Sequence, residues 1–262
     1  NSSVKEAVEI IYNISLSSSI FKNNFSKWRE RCLYLRNNYL IHYPKGDVQD
    51  KRICIYRLVS ILNQFSDKFS AVVTDSGQAW YAVAQHYFPS SESKYISSGS
   101  WGAMGMAIPL AIGASLATKG NILAITGDGS IMMSIQELAT IRYNNLPVLA
   151  VISNNNGYQS INSTHDRFFE GRRVGTDSTN GVYIPKFSKI AKTFGLKYYS
   201  ASSEDELNMI LSKALNSGKL TSPVIIEVFT NLNQRIEPIV SSELQSDGSF
   251  KSKGLAHMTP KL

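Results

Sequence analysis

With 262 residues, 43% of them hydrophobic and 18% charged, the chain is long enough for a full core and too apolar to be intrinsically disordered. No apolar run reaches the length of a membrane span, so no membrane partner is expected. The net charge of +7 is dispersed, in groups such as Lys27, Arg29, Arg31 and Arg36 or Arg167, Arg172 and Arg173, and no nucleic-acid motif accompanies it; solvated faces account for it, and no nucleic-acid partner is expected.

The first residue is Asn1 rather than Met, as expected of a piece cut from a longer chain, and no charged-then-apolar leader opens it. Cys32 and Cys54 fit neither a metal spacing nor a disulfide framework, which points to a reducing, cytoplasmic setting. The stretch "VKEAVEIIYNISLSS" is amphipathic and helical, and "FSKWRERCLYLRNNYLIHYPKGD" is basic and aromatic and stops at Pro44. Residues 1–45 therefore read as the end of a preceding, middle domain with its linker, residues 46–235 as the main domain and residues 236–262 as a polar tail.

"CIYRLVSILNQFS" (54–66) is a helix leading into alternating strands and helices. Short apolar runs predict strands at 70–74, 94–97, 122–126, 147–153, 197–200 and 223–229, as for strands covered on both faces. Helical patterns fill the gaps: "GQAWYAVAQHY", "GMAIPLAIGASLA", "SIQELATIRYN", "PKFSKIAKTFG" and "SEDELNMILSKALN". Ser134 with Glu137 and Ser203 with Glu206 fit the capping box, and Gly195 and Gly218 stand at helix stops. The fold class is α/β, a doubly wound, mostly parallel six-stranded sheet with helices on both faces. Ligands of such sheets bind beyond the carboxyl ends of the strands, which places the loops after residues 74, 97, 126 and 153 on one rim.

Two of those loops carry unusual chemistry. "ILAITGDGS" runs a buried strand into a glycine turn, and Gly127 and Gly129 are expected to take positive φ and let a ligand approach the backbone. Backbone N–H groups and the Ser130 hydroxyl suit a phosphate, but Asp128 would repel it unless a cation lay between them. Mg²⁺ meets that need, with few protein carboxylates plus phosphate oxygens. Asn155 follows Asp128 by 27 residues, on the loop after the next strand, so one strand–helix–strand unit sets the two side by side. The carbonyl of Gly157 is the natural third protein ligand. A GDG or an NNNG alone is usually only a turn; the pair on one rim is far more specific.

An acid between glycines, about 25 residues and then paired asparagines resembles the signature of thiamine diphosphate enzymes. Through "AQHY", "MGMAIPLAIGA", "GDGSIMMSIQELATI" and "FSKIAKTFG", roughly residues 50–230 resemble the C-terminal, diphosphate-binding domain of the acetolactate synthase-like family. The resemblance implies thiamine diphosphate and Mg²⁺ as cofactors, with Asp128, Asn155 and the Gly157 carbonyl on the metal. It implies that Gly127, Gly129 and Ser130 cradle the diphosphate, with Gly77 and Gln78 of "DSGQ" and Tyr158 beside it. Ala79 stands where the family often has histidine. In "SSGSWGAMG", Met104, with Gly102 beside it, takes the place of the methionine that props the cofactor into its bent shape.

The same resemblance implies an activity and a missing part. The family removes a proton from the cofactor with the help of a glutamate on a separate pyrimidine-binding domain, N-terminal in the parent chain or on another subunit. One sheet's worth of strands leaves no room for that domain, and neither Glu137 nor Glu170 substitutes for it, so the chain alone is expected to be inactive. The parent is expected to be a 2-keto acid decarboxylase or carboligase, a lyase or transferase, assembled as a homodimer or homotetramer. The alternatives are a separate diphosphate-domain subunit of a two-chain decarboxylase and a non-catalytic assembly module of the same fold. A nicotinamide or flavin Rossmann domain is disfavoured, because no G-x-G-x-x-G follows the first strand. Thr164 and Ser160 replace the Trp and Met that mark acetohydroxyacid synthases proper, which implies a roomier, more polar pocket near Gln159, Ser160, Asn162, Ser163, Thr164 and His165. His165 is the candidate proton carrier, although a lone histidine on a surface helix is more often inert.

Overall fold

The computed structural model describes residues 4–17, 19–39, 50–240, 242–254 and 257, and the chain divides into two compact units. The first contains helices α1 (Val4–Ser17) and α2 (Ser19–Tyr39), with Ile11 and Trp28 among its exposed apolar side chains. The boundary expected near residue 45 lies outside the described residues. None of the helices, among the described residues, is long and apolar enough to cross a membrane.

The second unit runs in chain order through α3 (Ile55–Asn63), β1 (Ala71–Thr74), α4 (Gly77–His86), β2 (Lys94–Ser97), α5 (Ala107–Thr118), β3 (Ile122–Gly127) and α6 (Asp128–Ile131). It continues through α7 (Leu138–Tyr143), β4 (Val148–Asn154), α8 (Gln159–Phe168), α9 (Phe187–Thr193), β5 (Lys197–Ala201), α10 (Glu204–Leu215) and β6 (Val224–Phe229). A hairpin, β7 (Ser242–Leu244) and β8 (Phe250–Ser252), follows. The six long-range strands form one sheet in the order β2-β1-β3-β4-β6-β5, and every pairing in it is parallel. All six expected strands are present.

Alternation decides where the helices sit. Val73, Ala124, Ala150 and Ile225 point to one face, where they pack with Ile108 and Ala111 of α5, Ile141 of α7 and Phe187 and Ala191 of α9. Their sequence neighbours Val72, Ile125, Val151 and Ile226 point the other way and are equally buried. A strand buried on both faces selects apolar side chains, which is why these strands read as mainly apolar runs, with Glu227 the buried charged exception in β6. The chain leaves β1 to one side for β2 and returns to pair β3 on its other side, so the loops after β1 and β3 diverge and open a crevice at the carboxyl rim.

Of the two expected capping boxes, one forms. Ser203 accepts the Glu206 N–H at 3.3 Å while the Glu206 carboxylate takes the Ser203 N–H, closing the start of α10 for about 1 kcal/mol. Ser134 does not cap: the segment is broken into α6, a 3₁₀ turn at Ile135–Glu137 and α7, and Glu137 accepts from Thr140 instead. Without a continuous first turn, no N–H is aimed at the serine oxygen. The β7–β8 hairpin falls in the stretch read as a polar tail; it is short, polar and held in part by an edge-on contact of Phe250 with Phe168 of α8, with ring centroids 4.7 Å apart.

Candidate cofactor site

The crevice holds a cavity of about 320 Å³, and it gathers residues from four loops. Gly77 and Gln78 come from the start of α4, Gly102 and Met104 from the loop after β2, Gly127, Asp128, Gly129 and Ser130 from the end of β3, and Asn155, Gly157 and Tyr158 from the end of β4. β3 and β4 lie side by side in register, Gly127 beside Ser153, so the two carboxyl-end turns must meet.

Asp128 is fully buried. Its carboxylate accepts the Gly129 N–H at 2.8 Å and the Gly157 N–H at 2.9 Å, and no ion pair reaches it among the described residues. Burial pushes its pKa up to about 7, against the opposing pull of the Gly157, Gly129 and Asn156 amides. A charge held in such a place calls for a cation. In the folded chain without one, the carboxyl binds its proton more tightly than in the unfolded chain. Stability therefore declines as pH rises from about 4 to about 7 and is level above, by about 4 kcal/mol from this group at about 1.4 kcal/mol per pH unit. Thermal melts of chelator-treated protein across that window are expected to show the decline.

Asn155 is oriented by a relay. The Gln78 amide nitrogen donates to the Gln234 carbonyl at 2.7 Å, which turns the Gln78 oxygen toward Asn155, whose amide nitrogen donates to it at 3.2 Å. The Asn155 Oδ1 is left facing away with no donor among the described residues, the arrangement a metal ligand requires.

The glycines act differently from expectation. Gly127 has φ −86°, and Gly129 lies in the turn of α6, so neither takes a positive φ. Gly129 is needed for closeness: a Cβ there would stand 2.4 Å from the Tyr158 ring. Gly157 does have φ +126°, and a Cβ on it would stand 2.2 Å from the Thr176 carbonyl, which accepts the Tyr158 N–H at 2.8 Å. The Ser130 hydroxyl donates to Asp75 at 2.7 Å and accepts the Gly105 N–H at 3.0 Å, so its single proton is already engaged.

Further along α8, Gln159, Ser160 and Ile161 line the cavity. Asn162 is buried against Gln159 and Asp177, while the Ser163 and Thr164 hydroxyls bond back to the Gln159 and Ser160 carbonyls. His165 is not in the lining; its ring meets Phe169 edge-on at 5.9 Å, and its Nδ1 is buried without a partner among the described residues.

Three further residues shape the site: Asp75, the first residue of "DSGQ", Gln234 through its backbone carbonyl, and Glu227. Glu227, buried within the apolar run of β6, accepts from the Tyr198 hydroxyl and from Asn154 Nδ2, the latter at 2.6 Å. Asn154 Oδ1 in turn accepts the Asn156 N–H at 3.0 Å, which shapes the turn bearing Asn155 and Gly157. Burial pushes the Tyr198 pKa well up, reinforced by Glu227. Glu227→Ala is expected to strand two polar partners and lower stability by about 2 kcal/mol, read as a shift in the urea midpoint.

Residues 75–228 match the family model described as "Thiamine pyrophosphate enzyme, C-terminal TPP binding domain". The chain belongs to that family, and its fold and cofactor class are those of thiamine diphosphate (thiamine pyrophosphate) enzymes. It is 28% identical over 236 residues to acetolactate synthase 2, chloroplastic, of Nicotiana tabacum, covering 88% of this chain and 34% of that protein. It is 30% identical over 218 residues to the acetolactate synthase isozyme 2 large subunit of Escherichia coli (strain K12), covering 81% of this chain and 37% of that protein. The chain thus spans about a third of the length of these relatives. Its fold is shared with a thiamine diphosphate-dependent 4-hydroxybenzoylformate decarboxylase of Rhodococcus jostii RHA1, with a TM-score of 0.62 and 22% identity over 74% of this chain and 36% of that one.

Proposed function

We propose that this chain is the cofactor-binding part of a thiamine diphosphate- and Mg²⁺-dependent 2-keto acid decarboxylase or carboligase of the acetolactate synthase-like kind. The observation that carries this reading is the convergence, on one cavity, of the acid turn after β3 and the asparagine turn after β4. Asp128 and Asn155 would hold Mg²⁺ through their side chains, with the Gly157 carbonyl as a third ligand. The backbone at Gly127, Gly129 and Ser130 would receive the diphosphate, with Gly77, Gln78 and Tyr158 beside it. Met104 and Gly102 would support the rest of the cofactor at the mouth.

When bound, thiamine diphosphate supplies the electron sink for breaking the bond beside a keto carbonyl. This chain's residues bind and orient it, and Gln159, Ser160 and Ile161 border the space beside it. The proton transfer that starts the reaction would need a glutamate from a pyrimidine-binding domain elsewhere in the parent chain or on a neighbouring subunit, in a homodimer or homotetramer.

Two measurements test this. The 262-residue chain alone is expected to release no CO₂ from 2-keto acids, whereas a parent-length protein carrying the pyrimidine-binding domain should; a parent-length protein that bound cofactor yet decarboxylated none would refute the activity. Saturating Mg²⁺ with thiamine diphosphate should also remove the pH-dependent loss of stability attached to Asp128, since the cation favours the ionised carboxylate.

A further inference from the structure

Asp75 is the first residue after β1, is fully buried and does not line the cavity. Its Oδ2 accepts from Thr126 Oγ1 at 3.0 Å, from Ser130 Oγ at 2.7 Å and from the Gly105 N–H at 3.2 Å, and its Oδ1 accepts the Ser76 N–H at 2.7 Å. The Ala107 amide donates to the same carboxyl, and the Asp75 carbonyl accepts from Ser98 Oγ at 2.6 Å. One side chain therefore joins three segments: the end of β1, the end of β3 with its acid turn, and the loop that carries Met104. A carboxylate is the one short side chain that can accept so many donors at once.

We infer that Asp75 is a positioning residue that clamps the Met104 loop to the turn bearing Asp128, and that the Ser130 side chain is a strut of this clamp rather than a phosphate ligand. The hydroxyl has one proton, and Asp75 holds it. Its lone pair takes the Gly105 N–H, the amide next to Met104, which is also shared with Asp75. Toward an anion the hydroxyl would present lone pairs only, so any phosphate contact from Ser130 must come from its backbone. Burial raises the Asp75 pKa, opposed by the Ser130, Ser76 and Thr126 hydrogen bonds, so every donor in the clamp helps to keep it ionised.

The inference rests on the cavity's being the thiamine diphosphate site, and the test separates the two. Asp75→Asn, Ser130→Ala and the double variant of the 262-residue chain are compared by amide hydrogen exchange without cofactor and by titration with thiamine diphosphate and Mg²⁺. In Asp75→Asn the Gly105 amide is expected to exchange faster by about tenfold or more, because the carboxamide offers one acceptor oxygen where two are used. Cofactor affinity should fall in both single variants, and the double should bind no more weakly than Asp75→Asn alone, since both changes break one unit. Additive losses, with Gly105 exchange unchanged in Ser130→Ala, would make Ser130 an independent ligand and overturn the clamp. Should Asp75→Asn fail to fold, Ser130→Ala decides alone: faster Gly105 exchange supports the clamp, and unchanged exchange with lost affinity refutes it. If the wild-type chain binds no thiamine diphosphate, the functional reading fails while the exchange data still decide the clamp.

Discussion

Asp128→Asn is expected to reduce thiamine diphosphate affinity in the presence of Mg²⁺ by more than about 100-fold, beyond the 10- to 100-fold typical of losing a partner that only supports a metal ligand. Two effects act together. The substitution removes the buried negative charge that the proposed cation would meet at this turn, and it places an amide nitrogen where one of the two carboxylate oxygens now accepts the Gly129 or the Gly157 N–H. One of those two N–H groups then faces a donor and loses its acceptor, which weakens the turn as well. Calorimetric titration of wild type and variant checks this. In the unloaded protein the same substitution should erase the decline of stability between pH about 4 and 7, because the group that titrates is gone.

Gly157→Ala is expected to be as damaging to binding and worse for stability. The residue has φ +126°, a conformation that side chains rarely adopt, and its Cβ would meet the Thr176 carbonyl oxygen at 2.2 Å. The Thr176–Asp177 backbone that blocks it is itself tied to this turn: Gly157 pairs with Asp177 in an isolated bridge, and the Thr176 carbonyl already holds the Tyr158 N–H. Relief requires the Asn155–Tyr158 turn to leave the Thr176–Asp177 segment. A loss of about 3 kcal/mol or more is expected in urea denaturation, with cofactor affinity lost beside it. Ala substituted at the nearby Gly127, where a Cβ would meet nothing closer than Ser130 Cβ at 3.9 Å, serves as the control and should unfold near the wild-type midpoint.

How much of this was legible in the sequence depends on the distance over which each contact acts. Strands β1, β3, β4 and β6 were readable because burial on both faces makes them mainly apolar runs, and Asp128 and Asn155 were placed on one rim because β3 and β4 are neighbours joined by one crossover. The signals that failed were local motifs without local structure. Ser134 and Glu137 have capping-box spacing, but the helix they would open begins as a 3₁₀ turn (Ile135–Glu137) and becomes α-helical only at Leu138. Gly127 and Gly129 looked like left-handed positions, whereas Gly129 is required by the Tyr158 ring lying against it, a contact no spacing encodes. Asp75, Gln234 and Glu227 carry no local signal of their roles, for a related reason. Asp75 binds side chains 51 and 55 positions away, and Gln234 sets Gln78 from 156 positions away. Glu227 sits in "PVIIEVF", where a single acid in an apolar strand signals only that something must hold it; that something is Asn154 and Tyr198. The β7–β8 hairpin is too short and too polar to stand out from its tail.

The most direct test is calorimetric titration of the 262-residue chain with thiamine diphosphate, in Mg²⁺ and again with a chelator, beside a titration with NAD in Mg²⁺. Binding of thiamine diphosphate that appears only with Mg²⁺, with no heat from NAD, is the expected result. Undiminished binding in chelator would contradict a metal held between Asp128 and Asn155, and binding of NAD in its place would contradict the assignment of the cavity itself.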